Sequence, residues 1–246
     1  MNLRQVQRDP APGRYGRLLV HTGSLAAADW IAEGGPNQGP FATVEGNTAT
    51  GYPAYARILH PASLDERPVR WDAVGAAYGR AVDGTTRWHE LVGVAWHQRC
   101  DQRHDEDPTA PAVWDEPPGE GPTPLDLART LLPVLARHTR TADRVWYGLW
   151  HGYGRWGWDG IPCFPTPNRE EVLLSGPLAD AISPATELDE FAELPDRWWP
   201  EDRAWVLGGD VDLMSTYVAG PEPLIADLLT HPALEAHRVA PTARLD

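Results

Sequence analysis

Twelve tryptophans in a chain of 246 residues constrain the fold more than any other feature of this sequence. Seven of them lie in two stretches, VWYGLWHGYGRWGWDG at 145–160 and DRWWPEDRAW at 196–205. Tryptophan carries the largest apolar side chain and one N–H donor, so it either builds a core or stacks on a ligand. The sequence alone leaves both roles open.

The overall composition predicts one folded domain with many turns. Hydrophobic residues make up 42% of the chain, and there are 25 prolines and 23 glycines. A chain of this length can form one substantial core. We therefore expect a single domain over residues 1–246. Its best candidate for a lobe boundary is the acidic, proline-rich stretch at 101–124, because proline and like charges extend a chain.

The net charge of −14 narrows the classes of partner. It repels phosphate backbones and anionic lipid surfaces, so we expect neither a nucleic acid nor a membrane as partner. No apolar run approaches the ~18–20 residues needed to span a bilayer, and no apolar signal segment stands at the N-terminus. We expect a cytoplasmic protein in which Cys100 and Cys163 stay reduced.

Every basic side chain is arginine, and lysine is absent. Without lysine no Schiff base with pyridoxal phosphate can form, which excludes enzymes that depend on that cofactor. The lysine of phosphate-binding loops is missing as well, so nucleotide binding of the P-loop kind is not expected. We predict no cofactor.

Strands and helices alternate irregularly along the sequence. Apolar patterning, caps and turn residues predict strands at 16–21, 54–60, 144–152, 170–176 and 204–213, and helices at 24–33, 71–80, 87–98 and 222–231. A further helix begins at Pro124, with an apolar stripe of Leu125, Ala128, Leu131, Leu132 and Leu135. Gly208 and Gly209 within a strand indicate a bulge or the close approach of another backbone. The pattern favours the α+β class, with a mixed or antiparallel sheet and helices packed on one face.

The segment GYGRWG at 152–157 matches G-x-G-x-x-G. Trp156 lies within it, and Trp158 follows it. The prolines after them are incompatible with the helix that a dinucleotide site needs, so we interpret the segment as a loop. Tryptophans on such a loop suit stacking on a sugar, a base or an aromatic metabolite. The alternative is that they fold back and pack over the sheet.

Four carboxylates near the second tryptophan stretch are candidates for acid–base chemistry: Glu201, Asp202, Asp210 and Asp212. Asp210 and Asp212 are two apart and would share a face of a strand, where like charges raise a pKa or attract a cation or an arginine. The alternatives are a structural ion pair with Arg203 and a solvated face of the sheet. The remaining candidates for ligand or partner binding are Trp156, Trp158, Trp198, Trp199, Arg203 and His151. We predict no metal site.

Several motifs resemble those of a family of uncharacterised proteins from high-GC bacteria. They are WWPEDRAW at 198–205, DxDxxSTYVAG at 210–220, GPL at 176–178, WDEPP at 114–118 and RILHPA at 57–62. The resemblance extends over most of the chain and implies a shared fold. The family has no assigned activity, so it assigns no role to any residue.

Two functions remain open at this stage. The first is a binding or accessory domain that recognises a basic protein partner or a small ligand through a tryptophan-rich surface with an acidic rim. The second is a hydrolase for a sugar-like or polar metabolite, with two of the four carboxylates as acid and base and tryptophan as a stacking platform.

Overall fold

A ten-stranded antiparallel sheet organises the computed structural model, which describes residues 13–100, 111–153, 156–189 and 191–245. The strands are β1 (Arg14–Tyr15), β2 (Leu18–Val20), β3 (Ala54–Leu59), β4 (Ala62–Leu64), β5 (Arg67–Val69), β6 (Val145–Trp150), β7 (Cys163–Pro165), β8 (Glu170–Gly176), β9 (Arg197–Pro200), β10 (Val206–Gly208), β11 (Ser215–Gly220) and β12 (Ala236–Arg238). Strands β4 and β5 form a separate hairpin. The large sheet has the order β1-β2-β8-β6-β9-β10-β11-β3-β12, and β7 also pairs with β8.

Five α-helices accompany the sheet in the described residues, and all five are short or of medium length. They are α1 (Val44–Asn47), α2 (Trp71–Ala77), α3 (Trp88–Val92), α4 (Leu125–Arg137) and α5 (Glu222–Thr230). The α+β class and the antiparallel sheet agree with the sequence-based prediction. No helix within the described ranges combines the length and the apolar character needed to cross a membrane.

Two adjacent rows of residues run across the middle of the sheet and face opposite sides. The first, here called the apolar row, consists of Leu174, Tyr147, Trp198, Leu207, Val218 and Ala56. The second, here called the charged row, consists of Leu173, Gly148, Arg197, Gly208, Tyr217 and Arg57. Residues directly opposite each other on neighbouring strands share a face, and consecutive residues of one strand alternate, so the two rows define the two faces.

The main hydrophobic core lies on the side of the apolar row. Helix α4 contributes Leu127, Ala128, Leu131, Val134 and Leu135 to it, and α5 contributes Leu224, Ile225 and Leu228. In both helices these residues recur at three- and four-residue spacing, which places them on one stripe of the helix. Of the leucines in the predicted stripe, Leu131 and Leu135 are buried, whereas Leu125 and Leu132 are half-buried.

The side of the charged row is covered mainly by irregular chain between β2 and β3. Trp30 and Ile31 from this segment pack with Leu173 and Trp199. The short helix α1 also lies on this side, because Val44 packs against Tyr217. The expectation that helices pack on one face alone is therefore not confirmed.

The helix predicted at 24–33 is wrong, since turns replace it. The backbone N–H groups of Ala28 and Ile31 donate to carbonyls three residues earlier, at 2.8 and 3.0 Å, and the pattern does not continue as a helix. The segment ends in a tight reversal at Gly35, where a β-carbon would lie 2.3 Å from the carbonyl oxygen of Asp29. Alanine content favours a helix, but this reversal and the packing of Trp30 determine the fold.

The stretch at 101–124 is only partly described, because residues 101–110 lie outside the described residues. Its second half packs against the rest of the chain. Trp114 is 1% exposed and joins Trp71 and Trp88 in a separate hydrophobic cluster. The Gly121 N–H donates to the carbonyl of Leu213 at 3.0 Å. A lobe boundary in this stretch remains a prediction.

Candidate functional site

The tryptophans belong mainly to the core. Nine of the twelve are buried, two are half-buried and one is exposed: Trp30, Trp71, Trp88, Trp114, Trp156, Trp158, Trp198, Trp199 and Trp205; Trp146 and Trp150; and Trp96. Their rings pack mostly edge-to-face, the arrangement that aromatic quadrupoles favour.

The four tryptophans expected at a binding surface lie inside the molecule. Trp156 and Trp158 pack against Tyr15 with ring centroids 5.2 and 5.6 Å apart. The indole N–H of Trp198 donates to the carbonyl of Pro195 at 2.7 Å. Trp199 packs on the opposite side of the sheet, against Trp30 and Phe164. Burial leaves none of these four rings exposed for stacking on a ligand.

The four candidate carboxylates fall into two groups at opposite ends of the β9–β10 hairpin. Glu201 and Asp202 follow the last residue of β9, in the turn between the two strands. Asp210 and Asp212 lie beyond the last residue of β10. Antiparallel neighbours place these positions at opposite ends of the sheet, so the four do not form one site.

Local hydrogen bonds occupy the carboxylates in the hairpin turn. Asp202 accepts from the Thr139 hydroxyl at 2.7 Å and from the Arg140 N–H at 2.9 Å. Burial opposes ionisation of Asp202, but these hydrogen bonds outweigh it and lower its pKa. Glu201 accepts from the indole N–H of Trp146. Arg203, next in the turn, stacks on Trp30 with its guanidinium carbon 4.7 Å from the ring centroid, and pairs with neither Asp210 nor Asp212 among the described contacts.

Asp210 and Asp212 do converge, and they share an arginine that the sequence did not single out. Arg169 donates to both oxygens of Asp210, at 3.1 and 2.9 Å, and also to Asp212. Its guanidinium lies 4.8 Å from the ring centroid of Trp150. The Asp212 side chain is 66% exposed and that of Asp210 only 9%. We call this group, Trp150, Arg169, Asp210 and Asp212, the acidic end of the sheet.

A fully buried carboxylate, Asp196, lies at the same end, directly before β9. It accepts from the backbone N–H of Trp150 at 2.7 Å and from the Tyr153 hydroxyl at 2.8 Å. Burial raises the pKa of Asp196 well above its usual range, because the interior disfavours the ionised form more than these donors stabilise it. Burial also raises the pKa of Tyr153, so its hydroxyl remains a donor.

A buried ion pair continues the charged region into the sheet. Arg197 and Glu171 are 3.3 Å apart, and their side chains are 4% and 3% exposed. Arg197 also donates to the carbonyls of Asn47 and Thr48 at the end of α1, at 2.6 and 2.7 Å. Burial raises the pKa of Glu171, although Arg197 opposes that shift.

Glycines make room for this ion pair on both sides. A β-carbon at Gly148 would lie 1.8 Å from a carboxylate oxygen of Glu171. A β-carbon at Gly208 would lie 2.1 Å from the carbonyl oxygen of Asn47. The close backbone approach predicted for Gly208 is confirmed. Gly148 sits in the middle of the apolar strand VWYGLW, and a glycine at such a position is the signal that could have identified the buried charges.

Sequence reasoning named only part of the acidic end. It identified Asp210, Asp212 and the adjacent His151, whose backbone N–H donates to the Glu170 carbonyl at 2.9 Å. It missed Arg169 and Asp196, because each is separated along the chain from the residues that it contacts.

The arrangement can hold a charged group but shows no metal centre. No group of three or more histidine, cysteine, aspartate or glutamate side chains suited to a metal ion occurs among the residues that the structure describes. Comparison with protein-family models, with curated proteins and with solved structures finds no match. The basis for assigning a function is therefore the arrangement of side chains in this chain itself.

Proposed function

We propose that this chain is a binding domain that recognises a basic protein partner at the acidic end of its sheet. The observation that carries the proposal is the geometry of Asp212. Its carboxylate is largely exposed, yet it is paired with Arg169, whose guanidinium lies over the half-buried ring of Trp150. A carboxylate that is already ordered loses little entropy when it binds a cationic group.

An exposed aromatic residue belongs to a segment that contacts the residue before Arg169. Phe41 is 66% exposed. The N–H of the next residue, Ala42, donates to the side chain of Asn168 at 3.2 Å, and Asn168 precedes Arg169. Aromatic anchors beside ordered polar groups are typical of interface hot spots. Phe41 and the half-buried Trp150 thus take the place of the tryptophan-rich surface that the sequence predicted.

Net charge adds a long-range contribution to the proposed recognition. At −14 the molecule attracts basic proteins and speeds their encounter at low ionic strength. Cys163 is a free thiol, as expected for the cytoplasmic location that we also propose.

A basic peptide provides a direct test. We would measure binding of fluorescein-labelled octa-arginine by fluorescence polarisation at two salt concentrations. Asp212→Asn should weaken binding several-fold, and Phe41→Ala should weaken it further. The matched control is Glu222→Gln at the start of α5, which also removes an exposed carboxylate paired with an arginine, Arg238, at 2.7 Å.

The control variant separates local recognition from net charge. Glu222→Gln should change the dissociation constant less than twofold, because Glu222 follows the last residue of β11 and Asp212 precedes its first, so the two lie at opposite ends of that strand. If Glu222→Gln and Asp212→Asn weaken binding equally, attraction depends only on total charge, and the proposed site is refuted.

A second candidate function, an acid–base hydrolase, is favoured by the environment of Asp196. A buried carboxyl with a raised pKa close to an ion-paired one, Asp210, is the kind of pairing that lets one group act as acid and the other as base. We would assay chromogenic 4-nitrophenyl glycosides and esters. Turnover that Asp196→Asn abolishes would support this candidate, and no turnover above the buffer rate would reject it.

A further inference from the structure

We propose that Ser175 is a nucleophilic serine activated by His21, at a site separate from the acidic end. Ser175 lies near the end of β8, on the side of the charged row, and is half-buried. His21 directly follows β2, which pairs with β8. The His21 Nε2 atom is 2.8 Å from the Ser175 hydroxyl oxygen.

The surroundings hold the histidine in this position. Its backbone N–H donates to the Leu173 carbonyl at 2.9 Å, which fixes the chain beside β8. The ring of Trp146, which lies opposite Ser175 on β6, is 5.0 Å from the imidazole ring centroid. Trp146 is itself held by its N–H, which donates to Glu201. A serine and a histidine in hydrogen-bond contact, with the ring oriented by a third group, have the geometry of an activated nucleophile.

The state of the histidine also suits the role. Partial burial lowers the pKa of His21, so the imidazole is neutral at neutral pH and its Nε2 can accept the serine proton. Among the described residues, no side chain accepts a hydrogen bond from Nδ1, so the arrangement is a dyad. Activated esters, acyl groups and phosphonates are the class of electrophile that such a pair attacks.

The covalent step is simple to write for a fluorophosphonate probe. The Ser175 oxygen attacks phosphorus and forms an O–P bond, while the P–F bond breaks and fluoride leaves. The serine proton moves to Nε2 of His21. No oxidant, reductant or other reactant is needed.

The test is labelling of the full chain with a biotinylated fluorophosphonate, followed by peptide mass spectrometry. We expect an adduct on Ser175 and none on Ser24. Ser24 is an exposed serine whose hydroxyl oxygen accepts from the Ala26 N–H, and the described contacts give it no histidine. Ser175→Ala should abolish labelling. His21→Gln should slow it at least tenfold.

Chemical rescue separates activation from a structural role. His21→Ala should also lose labelling, and added imidazole should restore it, because the deleted ring leaves space beside Trp146. Circular dichroism would establish that the variants fold, and the wild-type result stands even if they do not. The proposal is overturned if wild-type Ser175 forms no adduct, if Ser24 is labelled equally fast, or if a folded His21→Gln variant is labelled at the wild-type rate.

The Ser175–His21 pair is separate from the acidic end, so the two can be tested independently. Ser175 is five residues from Glu170 along β8, or roughly 17 Å at the usual rise of a strand. Loss of labelling would leave octa-arginine binding at the acidic end unaffected, and the reverse also holds.

Discussion

The apolar row and the charged row are neighbours in the same strands, yet they are stabilised by different interactions. Tyr147 and Trp198 of the apolar row belong to the same hydrophobic core as the buried residues of helices α4 and α5. One residue further along the same strands, Gly148 and Arg197 face a carboxylate and the end of α1. The long helices α4 and α5 cover one side, whereas the short helix α1 and irregular chain cover the side with the buried charges.

The two sides of the sheet place different requirements on the side chains that pack against them. Apolar burial tolerates many side chains of similar size, because dispersion and the hydrophobic effect have no direction. A buried ion pair needs each partner at one position, and here it also needs glycines beside it. We therefore expect the charged row to be far more sensitive to single substitutions and more sensitive to pH.

The largest expected effect comes from breaking the buried ion pair. Arg197→Met leaves Glu171 buried without its cation and should lower the free energy of unfolding by about 3–5 kcal/mol. Urea denaturation followed by circular dichroism measures this. The matched control is Arg238→Met, which breaks a half-exposed arginine–glutamate pair with Glu222 and should cost less than about 1 kcal/mol.

A double variant sharpens this result. Glu171→Gln combined with Arg197→Met removes both charges and should recover part of the loss, because no uncompensated charge remains. If the double variant is no more stable than Arg197→Met alone, the ion pair does not explain the sensitivity of the charged row.

The apolar row should respond to a cavity instead. Leu131→Ala on α4 should lower the free energy of unfolding by about 2–5 kcal/mol, since Leu131 is fully buried. Leu132→Ala, one residue along and only partly buried, is the control and should cost less. The loss at Leu131 should be the same at low and high pH. A strong pH dependence would mean that the two rows are not independent.

The pH dependence of stability should depend on Asp196. Because burial raises its pKa in the folded state, the folded chain binds more protons than the unfolded chain above the usual carboxyl range. Stability then falls as pH rises toward the folded pKa of Asp196, by at most about 1.4 kcal/mol per pH unit. Asp196→Asn keeps a neutral group of the same shape and should flatten this slope in urea titrations. An unchanged slope would mean that Asp196 is not the source of this pH dependence.

Local patterns predicted the elements well where the signals lie close together in the chain. The leucine stripe after Pro124 predicted α4, and the apolar runs at 144–152 and 170–176 predicted β6 and β8. The helix at 24–33 failed, because a turn at Gly35 and packing against the sheet outweighed the propensity of its alanines.

The site was harder to predict because its contacts are long-range. Trp156 looked exposed on a glycine-rich loop, but Tyr15, distant in sequence, buries it. The carboxylates were recognisable as Asp210 and Asp212, whereas their arginine, Arg169, precedes them by about forty residues. The spacing of residues along the chain does not indicate contacts between residues that are so far apart in sequence. The sequence could therefore suggest Asp210 and Asp212 only through their residue type.

The outermost strands of the sheet have a consequence for how the protein behaves at high concentration. Strand β1 has two residues and β12 three, so in the described residues each edge offers only a few unpaired backbone groups. A neighbouring molecule would gain little by adding its own strand there. Between β1 and β12 lies a long run of apolar strands. The short edge strands therefore disfavour the addition of strands from other molecules, which is the step that builds fibrils.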